Sequence, residues 1–195
     1  ELVLEERKLM NIAFSTNNIY HVEKLSKKYK VNNFKKINFS ELNRLELIEI
    51  KLELSKKINE IPISMILAQA IIESGWGSSR FAQQGNALFG EWTWKNQAGI
   101  KPKDNLDANF SVKNFKNLLD SVNSYILNLN SHPAYKELRN YREKQIKTGK
   151  TVTGYEMAKF LEKYAEIGSE YVIKVTNMIK NNKLNEFEFS KLGSF

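Results

Sequence analysis

The sequence predicts a mainly α-helical (α+β) domain carrying a small β-hairpin lobe. Three observations lead there. Glycine (9) and proline (3) are sparse in 195 residues, while Leu, Lys, Glu and Ile are common, which favours helix over a many-stranded fold. Apolar residues recur at helical spacing along most of the chain. The texture changes only between Gly85 and Phe115, where glycine, Trp92, Trp94, Pro102 and several Asn and Asp residues interrupt every helical period.

Taken in order, Glu1 to Phe14 mixes charge with Leu2, Leu4, Leu9 and Ile12 and reads as helix, and a second helix is expected from about Asn18 to Tyr29. Ser40 is the expected N-cap of a third, with Leu42, Leu45 and Leu52 as its apolar stripe. Pro62 suits the first turn of a fourth helix, where its missing N–H costs nothing. That helix ends at Gly75, with Ile63, Ile66, Leu67, Ala70 and Ile71 on its buried face. A hairpin of Leu88–Thr93 with Ala108–Phe115 forms the β lobe. Helices follow near Lys116–Leu129, Pro133–Ile146, Tyr155–Tyr164 and Glu170–Asn181, with His132 as a helix-start residue, and Leu184 to Phe195 is expected as an extended tail packing back. By this reading residues 1–57 are an N-terminal helical segment, 58–184 the principal domain and 185–195 the tail.

Composition narrows the function. Hydrophobic residues at 42% exclude wholesale disorder. The formal charge of +8 attracts anions, but the basic pairs Lys27-Lys28, Lys35-Lys36 and Lys56-Lys57 are scattered, as on a solvated surface. A nucleic-acid role fits the charge, yet no fold signature or basic stripe accompanies it. The chain has no cysteine, which removes disulfides, thiol nucleophiles and Cys-based zinc sites. Two distant histidines give no metal site, and no cofactor motif is present. No apolar run reaches 18 residues, so nothing in this sequence spans a membrane as a helix.

The chemistry concentrates in Ala68-Gln-Ala-Ile-Ile-Glu73-Ser-Gly-Trp-Gly77 and Asn86-Ala-Leu-Phe-Gly90. Glu73 follows Ile66 by seven positions and Ala70 by three, which puts it on the flank of the apolar stripe. A carboxyl at the end of a buried helix is partly desolvated and faces the negative end of the helix dipole. Both effects raise its pKa and suit a general acid. A lysine-paired or solvent-facing glutamate is the plainer alternative for such a position. Gly75 and Gly77 let the backbone turn sharply around Trp76 and set an aromatic face beside the acid, as a sugar-binding cleft requires.

These two motifs resemble the signature of the bacterial glucosaminidase family, peptidoglycan hydrolases of the lysozyme-like superfamily. Phe89-Gly-Glu-Trp-Thr-Trp94, Asn130-Ser-His-Pro-Ala-Tyr135 and Tyr164-Ala-Glu-Ile-Gly-Ser-Glu-Tyr171 are most similar to its Bax-like branch, and the resemblance runs from about Ile58 to Leu184. It implies a lysozyme-like fold and an endo-β-N-acetylglucosaminidase acting on peptidoglycan glycan strands, outside the cytoplasm, as a monomer, with Glu73 as the acid. The resemblance puts Tyr164 in the cleft as a second catalytic side chain, where the family has a Tyr-Ala-Thr-Asp-like motif and this chain has Tyr164-Ala165-Glu166-Ile167. Asn86, Phe89 and Gly90 are expected to shape the cleft floor. Trp76, Glu91, Trp92, Trp94 and Tyr171 complete the expected substrate contacts, and one of the alternating Trp92 and Trp94 is left to pack. Leu88, Phe89 and Tyr164 serve equally well as core.

A partner carboxylate is harder to find. Asp107 follows Glu73 by 34 positions (107 − 73) and Glu91 adjoins the tryptophans. Inverting glycosidases set their carboxyls roughly 6.5–9.5 Å apart and retaining ones about 5 Å, and the substrate's own N-acetyl group offers a third route. The alternatives in view are a lytic transglycosylase or a muramidase on the same glycan, and a non-catalytic wall-binding or assembly module. The transglycosylases carry a Gly-Leu-Met-Gln-like stretch where this chain has Asn86-Ala-Leu-Phe-Gly90.

Overall fold

A computed structural model describes residues 2–31, 38–93, 99–101 and 109–190 of the chain. Contacts divide it into two compact units, Glu1–Glu60 with Leu127–Thr151, and Ile61–Ile126 with Val152–Phe195. Helices dominate both, and among the described residues the β structure is one small sheet, so the fold is mainly α, of the lysozyme-like kind with a small β lobe.

The first unit contains α1 (Leu2–Ser15), α2 (Ile19–Lys28), α3 (Arg44–Lys57), the end of α6 (Leu118–Ser131) and α7 (Lys136–Lys147). Its core gathers Met10, Val22, Leu25, Tyr29, Phe39, Ile50, Leu54 and Ile58. The start of α3 differs from expectation. Ser40 lies in a 3-10 turn, Phe39–Glu41, and the cap is Asn43. Asn43 Oδ1 accepts from the amides of Leu45 (2.9 Å) and Glu46 (3.0 Å), and Glu46 accepts in return from the Asn43 amide (2.9 Å). This reciprocal box satisfies more orphan donors than a serine three residues earlier.

The stripe on α3 is also corrected. Leu45 and Leu52 are exposed, and Ile50, Leu54 and Lys57 are buried. Apolar residues alternate with charges around the whole helix, so sequence offers two stripes and packing selects the other one. Lys57 is no solvated surface lysine either. Its Nζ pairs with Glu53 (2.9 Å) and donates to the carbonyls of Tyr29 (3.0 Å) and Lys30, closing the C-terminal end of α2.

The second unit contains α4 (Ile63–Ser74), α5 (Arg80–Gly85), β1 (Trp92–Thr93), β2 (Gly99–Ile100), β3 (Ser111–Lys113), the start of α6, α8 (Gly154–Ala158) and α9 (Ser169–Asn181). The strands run antiparallel in the order β1-β3-β2, with Trp92 opposite Val112 and Gly99 opposite Lys113. The expected pairing of Leu88–Thr93 with Ala108–Phe115 is thus present in shortened form, as β1 with β3, and β2 adds on the other side of β3 as a strand that the sequence did not suggest. Helix α5 is likewise new: Ser79 caps its start by accepting from the Ala82 amide, and six residues are too few to display a helical period. In place of a helix over Tyr155–Tyr164, α8 spans five residues.

Helix α4 packs on α8 and α9. Its start is Ile63, with Pro62 just outside as the N-cap, and Gly75 ends it with φ +57° as expected. The expected buried face is wrong. Ile63, Ile66, Leu67, Ala70 and Ile71 are half-buried, whereas Ser64, Met65, Ala68, Gln69 and Ser74 are buried. Hydropathy passes over Ser64 and Gln69 because it treats them as polar, but in place their hydrogen bonds are made within the protein.

One such partner is Glu188. The expected extended tail begins instead as a 3-10 turn, Leu184–Phe187, running into Glu188, and residues 191–195 lie outside the described residues. The Glu188 carboxylate accepts from the Ser64 amide (3.1 Å), the Ser64 hydroxyl (2.9 Å) and the Gly154 amide (2.6 Å), and so caps α4 and α8 together. At Gly154 a Cβ would come within 2.1 Å of Ser64 Oγ, so this approach requires glycine. Glu188→Ala is expected to cost about 2 kcal/mol in thermal denaturation, since it strands two helix-terminal amides. Gly154→Ala should cost at least as much through the steric clash.

Candidate active site

Glu73 occupies the last turn of α4, half-buried, where the backbone leaves the helix through three successive left-handed residues, Gly75 (φ +57°), Trp76 (+59°) and Gly77 (+74°). Ser74 stabilises this turn: its hydroxyl donates to the Ala70 carbonyl (2.6 Å) and accepts from the Gly77 amide (2.7 Å). The turn delivers Trp76 to the surface, 67% exposed. A tryptophan in the left-handed region costs about 1–2 kcal/mol that a glycine avoids. Trp76→Gly is therefore expected to be more stable than Trp76→Ala by about 1 kcal/mol in thermal denaturation.

Behind Glu73 lies a hydrogen-bonded row on buried side chains. The Tyr171 hydroxyl, from α9, donates to Glu73 Oε1 at 2.6 Å. Tyr171 Oη in turn accepts from Gln69 Nε2 at 3.0 Å, and Gln69 Oε1 accepts from the Tyr125 hydroxyl of α6. Tyr171 and Gln69 are 3% and 0% exposed. Rings hold the row in place: Tyr164 stacks on Tyr171 (5.2 Å between centroids, 14°) and Phe89 on Tyr125 (4.0 Å, 10°). The Tyr164 hydroxyl donates to the Phe89 carbonyl at 3.3 Å. The other carboxylate oxygen, Glu73 Oε2, lies toward Gly90, where a Cβ would stand 3.9 Å away. Gly90 has φ +58°, which favours glycine.

Burial pushes the Glu73 carboxyl above the usual glutamate range, and the Tyr171 hydrogen bond and the Lys174 charge only partly reverse this. Burial and the neighbouring Glu73 also hold Tyr171 far above the ordinary tyrosine value, so it remains a neutral O–H donor. A carboxyl whose proton affinity is raised by burial, beside a hydroxyl that keeps its own proton, is suited to general acid chemistry.

Glu73, Tyr164, Tyr171, Phe89 and Gly90 therefore come together, with Phe89 contributing its ring to the core at 3% exposure. Asn86 ends α5 in the left-handed conformation and donates from Nδ2 to the Phe115 carbonyl (3.0 Å), joining α5 to the strand exit. Glu91 ties the sheet to α6, pairing with Lys113 (2.8 Å) and accepting from Ser124 (2.8 Å). Trp92 is 54% exposed and stacks on Phe110. Asp107 and Trp94 lie outside the described residues. Gln69, Tyr125 and Ser74 escaped the sequence reading as site residues. A detectable signal existed for Gln69, a glutamine inside an apolar helix exactly one i,i+4 step before Glu73.

Residues 49–184, well over half of the chain, match the glucosaminidase family, described as mannosyl-glycoprotein endo-beta-N-acetylglucosaminidase. The chain belongs to the glucosaminidase family. It is also 32% identical over 162 residues to Protein bax of Escherichia coli (strain K12), a match covering 82% of this chain and 53% of that protein. The chain thus spans about half the length of the curated relative it matches. No solved structure matches it significantly. Family membership agrees with the resemblance read from the motifs, and the matched region contains every residue of the row behind Glu73. Among the described residues of this glucosaminidase-family chain, no group of three or more His, Asp or Glu side chains is arranged to hold a metal ion. No described helix is long and apolar enough to cross a membrane.

Proposed function

We propose that this protein hydrolyses the glycan strands of peptidoglycan as an endo-β-N-acetylglucosaminidase, with Glu73 as general acid. The observation that carries the reading is the Tyr171 hydroxyl donating to Glu73 Oε1 at 2.6 Å in a half-buried setting, with Oε2 left toward Gly90. In the proposed step the carboxyl gives its proton to the glycosidic oxygen as the bond from the anomeric carbon to that oxygen breaks. Water then adds to the anomeric carbon and releases a proton, and the leaving sugar departs as an alcohol. Exposed Trp76 and Trp92 offer faces on which pyranose rings stack. Such a substrate implies action outside the cytoplasm, and the row behind Glu73 is complete within one copy of the chain.

Mass spectrometry of purified peptidoglycan digested by the protein tests the reading. Fragments ending in reducing N-acetylglucosamine are expected. Anhydromuramyl ends would make it a lytic transglycosylase, reducing N-acetylmuramic acid a muramidase, and undigested strands that retain the protein a binding module.

A further inference from the structure

The geometry points to Gln69 and Tyr125 as positioning residues that decide which oxygen of Glu73 carries the acidic proton. The inference rests on Glu73 being the acid and adds a device that neither the fold nor family membership supplies.

The argument is a count of hydrogens along the row. Tyr171 has one hydroxyl hydrogen, and it is directed at Glu73 Oε1. Tyr171 Oη is already engaged as acceptor by Gln69 Nε2. A proton on Glu73 Oε1 would meet the Tyr171 hydrogen head-on, so the proton of the neutral acid belongs on Oε2, the oxygen toward Gly90. The setting depends on the Gln69 amide presenting its NH2 to Tyr171 and its carbonyl to Tyr125. The Tyr125 hydroxyl, donating to Gln69 Oε1, holds it that way.

With the amide reversed, Gln69 Oε1 would take the Tyr171 hydrogen. Glu73 would then hold its proton on Oε1, pointing into the protein and away from any substrate. The two settings are each self-consistent, and only one leaves a proton to give. Because Gln69, Tyr125 and Tyr171 are all buried, water cannot substitute for a missing partner, and the choice passes intact along the row.

The test uses Gln69→Met and Tyr125→Phe in the full chain, with initial rates on purified peptidoglycan strands across pH and a 13C titration of the Glu73 carboxyl by NMR. Tyr125→Phe frees the Gln69 amide to reverse and take the Tyr171 hydrogen, which favours the protonated but inward-facing acid, whereas Gln69→Met removes the N–H that engages Tyr171 Oη and so weakens Tyr171 as a donor to Glu73 Oε1. For Tyr125→Phe the turnover number is expected to fall about tenfold, the result of a misdirected proton, and KM should be unchanged in both variants because neither residue reaches the surface. The basic limb of the profile and the Glu73 titration should both move upward by about half a pH unit, the effect of weakening one hydrogen bond to the carboxylate.

Tyr125→Phe keeps the stacked ring and is the variant to read if Gln69→Met does not fold. Unchanged turnover and an unmoved titration in a folded variant would overturn the proposal. The titration requires no substrate, so it decides the matter even on a protein without hydrolytic activity. Glu73→Gln separates the two ideas: if it is inactive while Tyr125→Phe behaves as the parent, Glu73 remains the acid and the positioning role is lost.

Discussion

Glu73→Gln is expected to lower the rate of peptidoglycan hydrolysis by about a thousandfold or more, the span attributed to a general acid in a reaction whose leaving group needs a proton. The amide keeps an oxygen acceptor for the Tyr171 hydroxyl, so the row behind it stands and the loss is chemical rather than structural. Stability should move the other way. Burial raises the folded-state pKa of Glu73 above its unfolded value, so the native state binds the proton more tightly than the unfolded chain. The carboxyl's contribution is fully present in acid and is lost as pH rises from the ordinary carboxylate range through the raised folded value. A neutral amide does not titrate. The Gln variant is therefore expected to melt above the parent at neutral pH, and the difference should shrink as the buffer is made acidic. Equal melting temperatures at every pH, or retained hydrolysis, would count against the half-buried acid. The parent's own pH profile should show a basic limb set by the same group, above the range of a solvated glutamate.

The second large effect lies away from the site. Arg142, on α7, is 1% exposed and ends in a set of acceptors: the carbonyls of Lys56 (2.8 Å), Asn59 (3.1 Å) and Glu60 (2.8 Å), and Asn130 Oδ1 (2.8 Å). The carbonyls belong to the end of α3 and the residues just after it, so one guanidinium closes the C-terminal end of that helix, where the dipole favours a cation. Arg142→Met keeps much of the volume and removes every donor. It is expected to destabilise the protein by about 3–5 kcal/mol, the range for breaking a buried charged network from one side. Arg142→Lys should recover only part of this, because a single ammonium cannot span four acceptors in a planar fork. Chemical denaturation read by circular dichroism measures both. A loss under about 1 kcal/mol for the Met variant would show that water replaces the guanidinium.

The two expectations differ in how much of each was legible beforehand. Glu73 was readable as a candidate because what singles it out is local: its place on the helix, the glycines that end that helix, and the tryptophan between them. The mainly α class, the position of most helices and the existence of a β lobe were legible for the same reason, since period and turn chemistry are properties of neighbouring residues. Arg142 was invisible, because the carbonyls it caps lie more than 80 residues away and no spacing rule connects them.

The buried face of α4 marks the boundary clearly. Hydropathy selects Ile63, Ile66, Leu67, Ala70 and Ile71, and the fold buries Ser64 and Gln69 more completely. A polar side chain can be interior only if its partners arrive from elsewhere, and here they come from Glu188, Tyr171 and Tyr125. Motif and period, which are local, thus determined the family and the helical class and singled out Glu73. Which α3 stripe faces inward, which residue caps it, and which oxygen of Glu73 is turned toward Gly90 depended on side chains brought together across long stretches of chain. Only the tertiary structure decides such matters, because burial and hydrogen-bond direction are set by the neighbours a residue acquires on folding.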